Sequence, residues 1–87
     1  MEIGCGNATF LRKLGERWYT VHGYDPAYEG TDPKIVKEYY SLETVTQQSF
    51  GKADLIVLRH VLEHIADPLH FLQSIAEAND YFGFVYI

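Results

Sequence analysis

A chain that sets an acidic and an apolar residue, Glu2-Ile3, directly before Gly4-Cys5-Gly6 and then runs into helical spacing has few folds open to it. Glycines at that place let the backbone turn sharply from a strand into a helix and let a ligand approach the main chain. The amides at the head of the following helix would then point at the ligand. The helix itself is predicted by Phe10, Leu11, Leu14 and Trp18 on one face, with Arg12 and Lys13 facing outward. Asn7 is the expected N-cap and Gly15 the expected stop.

Residues 19–24 are rich in β-formers and end at Asp25-Pro26, a turn. Strand, turn, helix and strand make a βαβ unit, whose crossover is right-handed. Residues 26–34 mix Gly, Pro, Asp, Thr and Tyr and read as loop. Residues 35–40 predict a third strand, and residues 41–50 a short helix capped by Ser41. The apolar run at residues 53–58 has the character of a buried parallel strand. Asp67-Pro68 pairs an N-cap with a first-turn proline and opens a further helix. Leu69, Leu72, Ile75, Ala76 and Asn79 share one face of it, and His70, Gln73, Ser74 and Glu77 the opposite one. A last strand starts near Phe82.

Strands alternating with helices predict an α/β fold, a Rossmann-like parallel sheet of five strands with helices on both faces. Ligands of such sheets bind beyond the carboxyl ends of the strands. Gly4, Cys5, Gly6, Asp25, Tyr40, Arg59 and His60 all fall at those ends. At 87 residues the chain is at most one small domain, near the size where a core becomes marginal. A formal net charge of -5 argues against a nonspecific grip on nucleic acid or anionic lipid. One cysteine excludes an internal disulfide and fits a reducing, cytoplasmic setting. No apolar stretch approaches the length of a membrane span. Only Met1-Glu2-Ile3 precede the turn, and the chain stops inside an apparent strand, so the expectation is a piece of a larger domain.

Glu2-Ile3-Gly4-Cys5-Gly6 resembles motif I of class I S-adenosylmethionine-dependent methyltransferases. Tyr24-Asp25-Pro26 is similar to their second-strand acid, and residues 53–57 followed by His60-Val61-Leu62-Glu63-His64 to their fourth strand and its exit. Three motifs in the right order cover nearly the whole chain. The resemblance implies a partial methyltransferase domain over residues 1–87, with S-adenosylmethionine as cofactor and a small-molecule acceptor methylated on O, C or N. It implies Gly4, Cys5 and Gly6 under the cofactor, and Glu2, Arg59 and His60 near its methionine end. Asp25 would accept from both ribose hydroxyls, for which a carboxylate offers acceptors only. His60, whose imidazole can accept or donate a proton, is the candidate general base or orienting group. Ala8 stands where the motif has its third glycine, and no acid follows the third strand to read adenine.

Two other readings compete. Asp25 also lies about 20 residues past the glycines, as in a nicotinamide dinucleotide domain, but Thr9 occupies the place of that fingerprint's last glycine. The other is a noncatalytic α/β interaction module. His60-x-x-Glu63-His64 matches an inverted zinc-peptidase pattern, which needs a long helix that Asp67-Pro68 forecloses. Some methyltransferases, including small-RNA 2′-O-methyltransferases and ubiquinone-pathway O-methyltransferases, carry Glu-x-x-Glu-His here and bind a divalent metal. In this chain His60 replaces the first glutamate, so no metal is assigned, and Glu63 and His64 are the side chains that would ligate one. His22, His70, Cys5, Trp18 and the Tyr39-Tyr40 pair read as structural, though Tyr40 or Ser41, at a strand end, could touch adenine. The uncharged, apolar last strand carries no proline and predicts self-association through its edge.

Overall fold

The computed structural model describes residues 1–17 and 19–87. Its order is β1 (Glu2–Ile3), α1 (Thr9–Gly15), β2 (Gly23–Tyr24), β3 (Ile35–Val36), α2 (Leu42–Thr46), β4 (Leu55–Val57), a 3-10 turn at Leu62–His64, α3 (Pro68–Ala78) and β5 (Phe84–Tyr86). All strand pairs are parallel, in the spatial order β3-β2-β1-β4-β5. The Rossmann-like parallel sheet is therefore present. The chain first winds outward from β1 to β3, then returns and winds the other way from β4 to β5. The reversal lies between β1 and β4, where a crevice opens past the strand ends.

Register decides which side chains meet. Glu2 pairs with Gly23 and Val57, and Gly23 with Ile35, so these four share one face of the sheet. Ile3, Tyr24, Val36, Ile56 and Val85 share the other. On the first face Leu11 of α1 packs with Cys5, Ala8, Val21, Tyr28 and Ile35. On the second, Ile75 of α3 packs with Ile3, Ile56 and Leu58, supported by Phe71 and Leu72. Helices thus cover both faces, each over its own cluster.

Several boundaries depart from the sequence expectations. The second strand is only Gly23–Tyr24 and the third only Ile35–Val36, because just these residues reach a neighbouring ladder. Gly15 is the last residue of α1 instead of a stop beyond it. Ala8, not Asn7, occupies the N-cap position of α1, in the left-handed region at φ 65°. Asn7 acts one residue earlier, its Oδ1 accepting from the backbone N–H and hydroxyl of Thr9. Leu69 is exposed, and the buried positions of α3 are Ile75 and Ala78, followed by Asn79. Trp18 lies outside the described residues.

Other expectations match. Ser41 caps α2 and its Oγ accepts from Thr44 N–H, while the Thr44 hydroxyl accepts from Ser41 N–H. Asp67 caps α3, with Pro68 in the first turn and the Asp67 carboxylate accepting from His70 N–H at 3.1 Å. Asn79 closes that helix against the sheet. Its side-chain N–H groups donate to the carbonyls of Ala53 and Phe82, and its oxygen accepts from Ala53 N–H. Among the described residues no helix is long and apolar enough to cross a membrane.

Candidate functional site

The turn after β1 is built from left-handed backbone. Gly4 has φ 72° and Gly6 φ 56°, and Ala8 follows at 65°. A side chain at Gly4 would strike Val61, with a Cβ 2.9 Å from its Cγ2. A side chain at Gly6 would meet nothing within 4 Å. The first glycine is needed for packing against the β4 exit; the second leaves open space above its own backbone. Ala8 carries the strain of a residue with a Cβ in this region, about 1–2 kcal/mol. The helix behind the turn has only seven residues, so the expected contribution of its amides is small.

Asp25, just past β2, reaches across to the turn. Its Oδ2 accepts from Gly6 N–H at 2.8 Å, and its Oδ1 accepts from Ala27 N–H at 2.8 Å. Each carboxylate oxygen keeps acceptor capacity beyond the one bond it makes. The carboxylate therefore ties β1 and β2 exits together and still faces outward as an acceptor.

Glu2 is the most unusual residue of the site. It is 1% exposed, on a strand of two residues at the centre of the sheet. Its Oε2 accepts from Arg59 Nε at 2.9 Å, and its Oε1 has no partner among the described residues. An unpaired buried acceptor costs about 1–3 kcal/mol, so this oxygen is a standing invitation to a donor. Arg59, past β4, lies over the ring of Phe10 at 4.2 Å while holding Glu2. Two strand ends and the head of α1 are joined by this one side chain.

His60 follows at φ 57°, left-handed for a non-glycine residue, with its side chain 87% exposed. Its Nδ1 is 3.6 Å from Glu63 Oε1, and His64 Nε2 is 3.7 Å from the same oxygen. Glu63 thus stands between two imidazoles in the 3-10 turn. Among the described residues no group of three or more His, Cys, Asp and Glu side chains is arranged to hold a metal ion.

The Cys5 side chain is withdrawn from the surface. It is buried in the α1 cluster, and burial, followed by the Asp25 and Glu2 charges, pushes its thiol up to about 11. Only its backbone could face a ligand. Tyr40 packs, as its aromatic character predicts, but away from the carboxyl-terminal edge: it meets Tyr24 edge-on at 5.1 Å and joins the cluster under α3. Burial raises its phenol to about 12, and its hydroxyl has no partner among the described residues. With His22 and Phe50, whose rings stack at 3.7 Å, it lines a cleft of about 820 Å³ at the opposite, amino-terminal edge of the sheet. The sequence offered no signal for that cleft, since its walls combine loops before the strands with residues of separate elements such as Leu14, Val45 and Ala78. The Phe10 contact to Arg59 was also missed: Phe10 reads as core from its spacing.

The arrangement brings Glu2, Gly4, Gly6, Asp25, Arg59 and His60 to one edge, at the reversal between β1 and β4. A family described as a methyltransferase domain matches residues 1–83. The ubiquinone biosynthesis O-methyltransferase of Vibrio parahaemolyticus is 27% identical over 89 residues, covering 87% of this chain and 37% of that protein. The human mitochondrial ubiquinone biosynthesis O-methyltransferase is 28% identical over 86 residues, covering 84% of this chain and 23% of that protein. That of Paracidovorax citrulli is 25% identical over 87 residues. The chain thus spans little more than a third of the bacterial relatives' length and under a quarter of the human one. No solved structure gives a significant match.

Proposed function

We propose, for a chain that belongs to the methyltransferase domain family, that it binds S-adenosylmethionine at the β1–β2–β4 edge and serves methyl transfer to a small-molecule nucleophile. The observation that carries the reading is the Asp25 carboxylate fastened to the left-handed glycine turn while still offering acceptor sites. The residues present fit the cofactor. Open space stands over Gly6, a buried carboxylate with one unpaired oxygen lies at Glu2, and an outward acceptor lies at Asp25. Asp25 would hold the ribose hydroxyls, Gly4 and Gly6 would let the ligand approach the backbone, and Glu2 and Arg59 would stand at its methionine end. When bound, the cofactor supplies an electrophilic methyl group on a sulfonium. His60, at the exit of β4, would orient the acceptor or take its proton, its exposed ring being free to meet a substrate.

The relatives named as ubiquinone biosynthesis O-methyltransferases support an oxygen nucleophile as the acceptor atom. The test is calorimetry with S-adenosylhomocysteine, with NAD as the competing ligand. Tight binding of the former and none of the latter is expected. Asp25→Ala should weaken binding by about 1–3 kcal/mol, the range for losing hydrogen bonds to a charged acceptor. Unchanged affinity in that variant would overturn the assignment.

A further inference from the structure

We propose that Arg59 is an oxyanion receptor at the crevice between β1 and β4, its terminal amino groups taking a carboxylate or phosphate carried by the cofactor or by the acceptor. The inference rests on the proposed methyltransferase edge and adds to it the chemistry of what binds there. A guanidinium has five N–H donors in a planar fork. In this structure one of them, Nε–H, is given to Glu2 at 2.9 Å. One face of the group lies on Phe10 at 4.2 Å. Neither contact uses the terminal amino groups, and no described residue accepts from them.

Burial is split across the side chain pair. Glu2 is 1% exposed, whereas Arg59 is 41% exposed. The inner edge of the guanidinium is thus sealed and the outer edge is wet. An arginine free in solvent loses rotamer freedom on grasping a ligand. Here the ion pair and the ring hold the group before any ligand arrives. The free end-on edge, with its two terminal amino groups, has bidentate geometry for a carboxylate or phosphate. Its place, directly past β4 beside the strand that carries the glycine turn, is where a ligand in the crevice must pass.

The experiment uses the 87-residue chain with Arg59→Lys and Arg59→Gln at constant ionic strength. The probes are S-adenosylhomocysteine, 5′-methylthioadenosine, which lacks the amino-acid group, and inorganic phosphate. If the cofactor carries the oxyanion, the first probe binds the wild type more tightly than the second. Both substitutions should then reduce that ratio by about tenfold or more, as expected for a charged hydrogen-bond pair. If the acceptor carries it, the ratio stays constant, and phosphate binding to the S-adenosylhomocysteine-loaded chain falls by a similar factor in both variants. The Arg59 Nε–H resonance of the wild type, followed during the same titrations, gives a readout that needs no substitution. A ratio, a phosphate affinity and a resonance that all stay unchanged would overturn the proposal. Failure of both nucleosides to bind the wild type would instead overturn the methyltransferase reading, while phosphate against the Arg59 resonance would still decide this one.

Discussion

His60 holds a backbone conformation that costs a non-glycine residue about 1–3 kcal/mol, and its exposed ring returns no packing for it. Strain without structural return points to a task for the ring. His60→Gly should therefore raise the stability measured by urea unfolding by about 1 kcal/mol while lowering methyl transfer. His60→Ala should lower turnover without the gain in stability. Near-normal turnover in both would move the role to another group. Sequence alone placed His60, Arg59, Glu2 and Asp25 at one edge, because strand ends can be counted from a βαβ pattern. It could not show that Arg59 is held by Phe10, since a ring at helical spacing reads as core whichever way its face is used. Nor could it show that Tyr40 would leave the edge, because the third strand ends at Val36 and the chain drops away below it.

Among the elements, the starts of α2 and α3 were legible to the residue, whereas the five strands were legible in number and order but not in their bounds. Asp67-Pro68 and Ser41 carry their own hydrogen-bonding partners within three residues, so the caps are local events. The strands of two or three residues exist only through neighbours distant in sequence, as Gly23 with Lys34 and Leu58 with Tyr86. β5 illustrates the consequence. It pairs with β4 on one side, and Phe84 and Tyr86 stand 79% and 62% exposed on the face that also carries the exposed Leu55. An uncharged edge with three such side chains on one face should drive association. Phe84→Lys is expected to lower the apparent mass of the chain in light scattering at high concentration and to keep its far-UV spectrum. A wild-type chain that remains a monomer at the same concentration would contradict this.

For the molecule as a whole, two separate clusters, one of six buried residues and one of four, support 87 residues, so the margin of stability is small and groups that titrate on unfolding matter. The Cys5 thiol is raised from 9.0 to about 11 and the Tyr40 phenol from 10.0 to about 12, both chiefly by burial. Above pH 9 the unfolded chain loses these protons first, the folded chain retains more, and stability falls as pH rises toward 12. The urea midpoint should therefore drop between pH 8 and pH 10.5. Cys5→Ala should flatten the lower part of that fall, and an identical slope in the variant would remove Cys5 as its source. At acid pH the sign reverses for His22, whose pKa is lowered by burial. The folded state excludes its proton, so stability is lost as pH falls below 6.5, its ordinary value.

The Asn79 amide bears on how the protein ages. Both of its N–H groups donate to carbonyls and its oxygen accepts from an amide, in a residue that is 5% exposed. Hydrolysis of an asparagine amide needs its following backbone nitrogen to swing onto the side-chain carbonyl, which a helix end fastened in this way forbids. Once the chain opens, the restraint is gone, and Asp80, which follows Asn79, lacks the β-branching that would block the attack most strongly. The aspartate so formed would return to face the carbonyls of Ala53 and Phe82 with acceptors alone. Each excursion to the unfolded state therefore carries a chance of a chemical change that bars the way back, and a preparation of this protein keeps a record of the time its molecules have spent open.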